Sequence, residues 1–207
     1  GVTGTSGKTV VASMVKSVMD HYCKAAYMGT ISLEYDGVEE QCPYTTPETL
    51  YVQKKLFDMA RRGVKVVASS HGLALKRIDA VDFNIAVLTN ISDEHLDFHG
   101  TRRQYIESKK KLFSMLSTNS IAVLNKDEEV FAEFKAATKA RIMTYGIKNE
   151  SEIMAKNIEL YIDHSEFDLS LKGNLYHIVC PTIADFNIYN VLATVGVLVG
   201  LGFDDRM

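Results

Sequence analysis

Near the amino end, Gly4-Thr5-Ser6-Gly7-Lys8-Thr9 brings together the residue types that hold a polyphosphate. Glycines let backbone N–H groups converge on phosphate oxygens, a lysine neutralises the outer phosphates, and a threonine hydroxyl can ligate magnesium. A loop of this kind binds ATP with magnesium where the carboxyl end of a buried strand meets the amino end of a helix. The general pattern GxxxxGK[ST] places its first glycine where Val2 stands.

Three further stretches carry ligand-type side chains. Ser69-Ser70-His71-Gly72-Leu73 follows an apolar run that reads as a strand, which puts its hydroxyls and imidazole at the crevice end of a parallel sheet. The plainer reading is a polar loop whose serines cap the next helix. Thr89 to Thr101 gathers Asp93, Glu94, His95, Asp97 and His99 after another strand; they suit magnesium or the positioning of water and phosphate, and otherwise form a solvated acidic loop. Lys109 opens the run Lys109-Lys110-Lys111, which taken alone is a wet helix face.

These residues need elements to hold them. Val10, Val11, Met14, Val15 and Val18 recur at helical spacing, predicting a first helix from Lys8 to about Tyr22 with the loop at its positive end. Ala25 to Leu33 reads as a strand, followed by an acidic turn at Asp36-Gly37. Pro47 opens a helix with Thr46 as its cap and Leu50, Leu56, Phe57 and Ala60 as its inner face, before Gly63 ends it. Strands are expected at Val64 to Val67, Asn84 to Thr89 and Ile121 to Leu124, with helices from Arg102 to Met115 and from near Asp127. Period two in Phe167, Leu169 and Leu171, then a Gly173-Asn174 turn and Leu175 to Val179, predicts a small antiparallel hairpin on the flank. A last helix spans Asn187 to Val199. The alternation predicts an α/β fold: a mostly parallel sheet with helices on both faces.

Composition narrows the function class. A net charge of -3 with both signs interspersed gives no reason to expect nucleic acid or an anionic membrane as partner. Cys23, Cys42 and Cys180 form no CxxC pair, which fits a reducing, cytoplasmic setting rather than a disulfide framework or zinc site. No apolar run is long enough to span a bilayer.

The stretches GVTGTSGKT, TTPE, ASSHGLALKR, LTNISDEHLDFHGT, YIESKKKLF, VLNKDE and DFNIYNVLA, in this order, span nearly the whole chain. Together they resemble the central domain of the Mur ligases, the ATP-dependent amide-forming enzymes of peptidoglycan precursor synthesis, and most of all their UDP-N-acetylmuramoyl-tripeptide synthetase branch. That family carries its phosphate loop without the first glycine of the general pattern. The resemblance implies a P-loop NTPase-like fold and addition of the third amino acid to UDP-MurNAc-L-Ala-D-Glu through an acyl phosphate, with ATP and Mg2+ as cofactors. The alternative is a catalytically silent nucleotide-binding module of the same kind.

The resemblance also assigns residues. Gly4, Thr5, Ser6, Gly7, Lys8, Thr9 and Val10 would contact ATP, with Asn187 as a further nucleotide contact. Thr45, Thr46, Ser69 and Arg77 would hold the UDP-muramoyl-dipeptide. Thr9 and His95 would ligate metal, and Lys109 matches the lysine that the family carbamylates, so Lys8, His95 and Lys109 form the implied catalytic set. Carbamylation requires a neutral amine and yields an anion, so a desolvated Lys109 would supply a carboxylate-like magnesium ligand. Lys110 and Lys111 stay ordinary surface charges.

The sequence departs from the family in places. The family's magnesium-binding glutamate stands just before the SSH segment, whereas here the run is Val66-Val67-Ala68-Ser69, with either Val67 in its place or two residues lost. Ser6 replaces a common asparagine, Tyr44 another, and Ile183-Ala184 a common proline-glycine. The family's amino-terminal uridine-binding domain and carboxyl-terminal domain are expected outside residues 1–207, which read as one central domain of a longer polypeptide.

Overall fold

In a computed structural model, residues 1–29, 32–35, 37–41, 49–69, 81–92, 101–182 and 184–203 are described. In chain order these form β1 (Val2–Thr3), α1 (Lys8–Met19), β2 (Ala25–Met28), β3 (Ser32–Tyr35), β4 (Val38–Gln41), α2 (Thr49–Arg61), β5 (Lys65–Ala68) and β6 (Ile85–Leu88). There follow α3 (Arg102–Ser114), β7 (Ile121–Asn125), α4 (Phe131–Ala136), β8 (Arg141–Gly146), β9 (Ile153–Leu160), β10 (Ser165–Leu171), β11 (Asn174–Cys180) and α5 (Asp185–Gly200). One sheet has the order β1-β6-β7-β8-β9-β10-β11, parallel as far as β9 and antiparallel beyond it. A second has the order β4-β3-β2-β5, and among the described residues a parallel bridge between Val2 and Ser69 joins the two.

Side-chain alternation sorts the core. Val87 and Val123 point into a cluster with Val11, Val15, Ile188 and Leu192 of α1 and α5. Their neighbours Ala86, Leu88, Ala122 and Leu124 point the other way, against Ile106, Phe113 and Phe134 of α3 and α4. Strands buried on both faces must be apolar throughout, which is why Ile85–Leu88 reads as an unbroken run. Each fully buried aliphatic side chain of this kind contributes ~1.5–3 kcal/mol.

Several expectations need correcting. The predicted strand Ala25 to Leu33 is two antiparallel strands, β2 and β3, with the Gly29 amide bonded to the Ser32 carbonyl. α1 stops at Met19 because the amides of His21 and Tyr22 close onto carbonyls three residues back, a tighter turn than the α-helix. Val10 lies exposed rather than on the buried stripe of α1. In α2 the apolar residues make two stripes about 140° apart; the sheet took Val52, Leu56 and Met59, leaving Leu50 81% and Phe57 63% exposed. The helix expected near Asp127 begins at Phe131, since the Asp127 carboxylate is engaged elsewhere. The flank is a three-stranded meander continuous with the main sheet, and its last turn is Lys172-Gly173, both at positive φ (51 and 83). Asp36, Thr46 and Pro47 lie outside the described residues.

Two helix starts each follow a residue at positive φ, left-handed helical at Gly7 (ψ -11) and extended in ψ at Ala184 (ψ 146). Gly7 before α1 has φ 81 and Ala184 before α5 has φ 84, and neither helix has a side-chain cap. Glycine meets that angle without cost, so the alanine at 184 is strained.

Candidate functional site

The phosphate loop hangs between β1 and α1 and is braced by the stretch after β6. Gly4 and Gly7 have φ 148 and 81, and added Cβ atoms would come within 1.9 Å of Thr89 Oγ1 and 2.3 Å of Asn190 Oδ1 respectively. Glycine is therefore required twice, for backbone angle and for close approach. The Thr5 amide donates to the Asn90 carbonyl (2.8 Å) and the Ser6 amide to Asn90 Oδ1 (2.9 Å). Thr89 Oγ1 donates to the Ser6 carbonyl at 2.6 Å. Thr5 is buried, and its hydroxyl accepts from the Ser92 amide (2.9 Å) and Tyr105 Oη (3.1 Å). Thr5 is thus a strut of the loop, whereas Ser6, Thr9 and Val10 stand exposed at the rim. No side chain caps α1, which leaves its first-turn N–H groups and positive dipole end able to hold an anion.

Two ammonium groups meet at this loop. Lys8 Nζ donates to the carbonyls of Gly4 (2.9 Å) and Thr5 (2.6 Å), and Lys109 Nζ donates to the same Gly4 carbonyl at 3.0 Å. Lys109 is only 7% exposed, lies on the inner stripe of α3 with Tyr105, Leu112 and Phe113, and sits 4.2 Å from the centre of the Tyr105 ring. Burial first, then the nearby charge of Lys8, lowers the Lys109 pKa to about 7. Burial also lowers that of Lys8. The wet-face reading therefore fails for Lys109, whereas Lys110, half-buried, pairs with Glu107 at 2.7 Å.

Of the other residues singled out in sequence, Ser69, Val67 and Asn187 are described. Ser69 directly follows β5 and bridges to Val2, buried, its Oγ 3.2 Å from Tyr27 Oη. Val67 points into the core, so no carboxylate stands on β5. Asn187 is half-buried in the first turn of α5, its Oδ1 accepting from Asn190 Nδ2 at 3.4 Å. Thr45, Thr46, Arg77 and His95 lie outside the described residues, as do Ser70, His71, Asp93 and Glu94. Among the described residues, no group of three or more His, Cys, Asp or Glu could hold a metal ion, and no helix is long and apolar enough to cross a membrane.

Sequence reasoning gave no role to Asn190, the buried side chain behind Gly7, or to Asn125, whose Nδ2 donates to the Thr89 carbonyl at 3.1 Å. Both lie in segments it singled out, DFNIYNVLA and VLNKDE; three-residue spacing from Asn187 was the available signal for Asn190.

The family described as Mur ligase middle domain matches residues 2–198. The UDP-N-acetylmuramoyl-L-alanyl-D-glutamate--2,6-diaminopimelate ligase of Lactiplantibacillus plantarum is 38% identical over 204 residues, covering 93% of this chain and 41% of that protein. The corresponding L-lysine ligase of Staphylococcus haemolyticus is 36% identical over 201 residues, with 93% and 41% covered. This chain thus spans about two fifths of the length of the curated relatives it matches. A solved structure of a UDP-N-acetylmuramoyl-L-alanyl-D-glutamate--2,6-diaminopimelate ligase superposes with a TM-score of 0.86 at 29% identity, covering 98% of this chain and 43% of that one. The MurF ligase of Thermotoga maritima in complex with ADP shares the fold, with a TM-score of 0.67 at 20% identity over 99% of this chain and 45% of that one.

Proposed function

Because the chain belongs to the Mur ligase family through its middle domain, we propose that it is the ATP-binding part of a ligase that joins an amino acid to UDP-MurNAc-L-Ala-D-Glu. The incoming amino acid is a diamino acid, in keeping with the relatives named for 2,6-diaminopimelate and L-lysine. One observation carries the reading: an uncapped helix start and the Lys8 ammonium converge on one glycine loop, with the buried amine of Lys109 behind it.

In the proposed reaction a substrate carboxylate oxygen attacks the γ-phosphorus of ATP and the bond to ADP breaks. The amine of the incoming amino acid then attacks the acyl carbon, releasing phosphate and a proton. Phosphoryl transfer is chiefly positioning and charge neutralisation. On binding, Lys8 would exchange two neutral carbonyl acceptors for phosphate oxygens, a charge-assisted and stronger contact. The first-turn amides of α1 would hold the remaining phosphate charge.

The residues present fit a triphosphate. Magnesium, when bound, neutralises phosphate charge; the Thr9 hydroxyl, a carbamate on Lys109 and His95 are the side chains that would hold it. A pKa of about 7 leaves Lys109 enough neutral amine near neutral pH to take up carbon dioxide. Ser69 and, by the same resemblance, Thr45, Thr46 and Arg77 would meet the muramoyl-dipeptide, and Asn187 the nucleotide.

A second reading, a silent nucleotide-binding module, is favoured by Val67, which offers a hard cation no oxygen. Lys8→Ala in the full-length protein tests the first: phosphate release that requires both muramoyl-dipeptide and amino acid should fall by about 100-fold or more, and unchanged turnover rejects the assignment. Inserting Met-Glu between Val67 and Ala68 separates the readings. A two-residue insertion keeps the strand's inward and outward faces, and a large gain in turnover would mark the natural chain as silent.

A further inference from the structure

The VLNKDE segment follows β7, and its polar side chains hold separate pieces of the crevice. Asn125 binds the Thr89 carbonyl, and Glu128 accepts from the Ile91 amide at 2.9 Å. Asp127 takes the largest share. Its Oδ2 accepts from the amides of Ile147 (2.6 Å) and Lys148 (2.9 Å) and from Tyr189 Oη (2.8 Å), and its Oδ1 from the Asn149 amide (2.7 Å) and Nδ2 (2.9 Å). A carboxylate has about four lone-pair sites, so these donors saturate it. Burial pushes the Asp127 carboxyl up, and the bonds from Ile147, Lys148, Tyr189 and Asn149 together outweigh it, holding it below the ordinary aspartate value. Gly146 makes room, because a Cβ there would lie 3.1 Å from each carboxylate oxygen.

Asp127 is linked to the phosphate loop from two sides. Its amide donates to Asn125 Oδ1 (3.0 Å), and Asn125 and Thr89 lead on to the Ser6 carbonyl. Its carboxylate pins Tyr189 on α5, the residue next to Asn190, whose side chain packs on Gly7. Adjacent residues on a helix are about 100° apart, so fixing Tyr189 fixes the direction in which Asn190 points.

We infer that Asp127 is a positioning residue for nucleotide binding, acting through Tyr189 and α5 on the Asn190–Gly7 contact. The inference rests on the reading of Gly4 to Thr9 as a nucleotide site. Its test is titration of the full-length protein with magnesium-ADP, together with steady-state kinetics. Tyr189→Phe removes only the hydroxyl and leaves the other bonds of Asp127 in place. It should weaken magnesium-ADP binding about 3- to 10-fold, less than the roughly 10- to 150-fold of one hydrogen bond to a charged group, because the lost bond reaches the nucleotide only through α5. KM for ATP should rise with it, while kcat and KM for the muramoyl-dipeptide stay constant. Asp127→Asn, where it folds, should cost more, and adding Tyr189→Phe to it should cost nothing further. Wild-type affinity in Tyr189→Phe, a fall in kcat with unchanged KM for ATP, or additive losses in the double variant would overturn the inference while leaving the nucleotide site intact. Failure of the unsubstituted protein to bind magnesium-ADP would overturn the site and the inference together.

Discussion

α1 and α5 both start after a residue at positive φ and both lack a side-chain cap, and α5 brings Asn190, in its second turn, against Gly7 at the start of α1. They differ in which residue meets the demand. At Gly7 the missing Cβ is indispensable, because backbone angle and the Asn190 side chain exclude it together. At Ala184 only the angle is at issue, and the chain tolerates strain on the order of 1–3 kcal/mol. A position that must admit both a ligand's charge and a neighbour's side chain admits no substitute, whereas one that shapes only the entry to a helix does.

Gly7→Ala should break the comparison most severely. Strain of about 1–2 kcal/mol from the left-handed angle adds to the clash with Asn190, so thermal unfolding should drop by several degrees. Magnesium-ATP binding by calorimetry should be lost.

Lys109 sharpens the contrast between what the fold tolerates and what it needs. A depressed amine pKa means that below about 7 the folded chain carries the full cost of the buried charge. Between there and the ordinary lysine value the unfolded chain binds the extra proton, so stability rises with pH across that window. In carbonate-free buffer, Lys109→Met should therefore be more stable than the natural chain at low pH. Denaturant titrations should show that advantage narrowing by about 1–3 kcal/mol between pH 6 and pH 9, while ligase turnover is abolished. A pH-independent difference would contradict the desolvated amine.

Ala184→Gly should have the smallest effect and the opposite sign. Relief of strain, less the extra freedom of glycine in the unfolded chain, leaves a gain of about 0.5–1 kcal/mol. Melting should shift upward by about 2 °C, with nucleotide affinity unchanged.

The alternation of strands and helices was legible because strands buried on both faces leave continuous apolar runs, as in Ile85–Leu88. β8 was missed: Arg141 and Thr144 interrupt its apolar residues, and its pairing with β7 is non-local. In α2 the sequence offered two apolar stripes and no local reason to prefer one. At the site, residue types announced the loop itself, but not its bracing. That bracing is built by Thr89, Asn90, Asn125 and Asn190, ordinary polar residues whose roles depend on contacts across 36 positions of chain for Asn125, 84 for Asn90 and about twice that for Asn190 against Gly7. Lys109 was placed by family likeness; its spacing from Tyr105 and Phe113 also puts it on the buried stripe of α3.

Hydrogen exchange of the segment Gly4 to Val11 in the full-length protein, with and without saturating magnesium-ATP, tests the central claim most directly. The account requires strong protection of the first-turn amides of α1, lost in Lys8→Ala. Identical exchange in both conditions, from a protein that is folded, would contradict it.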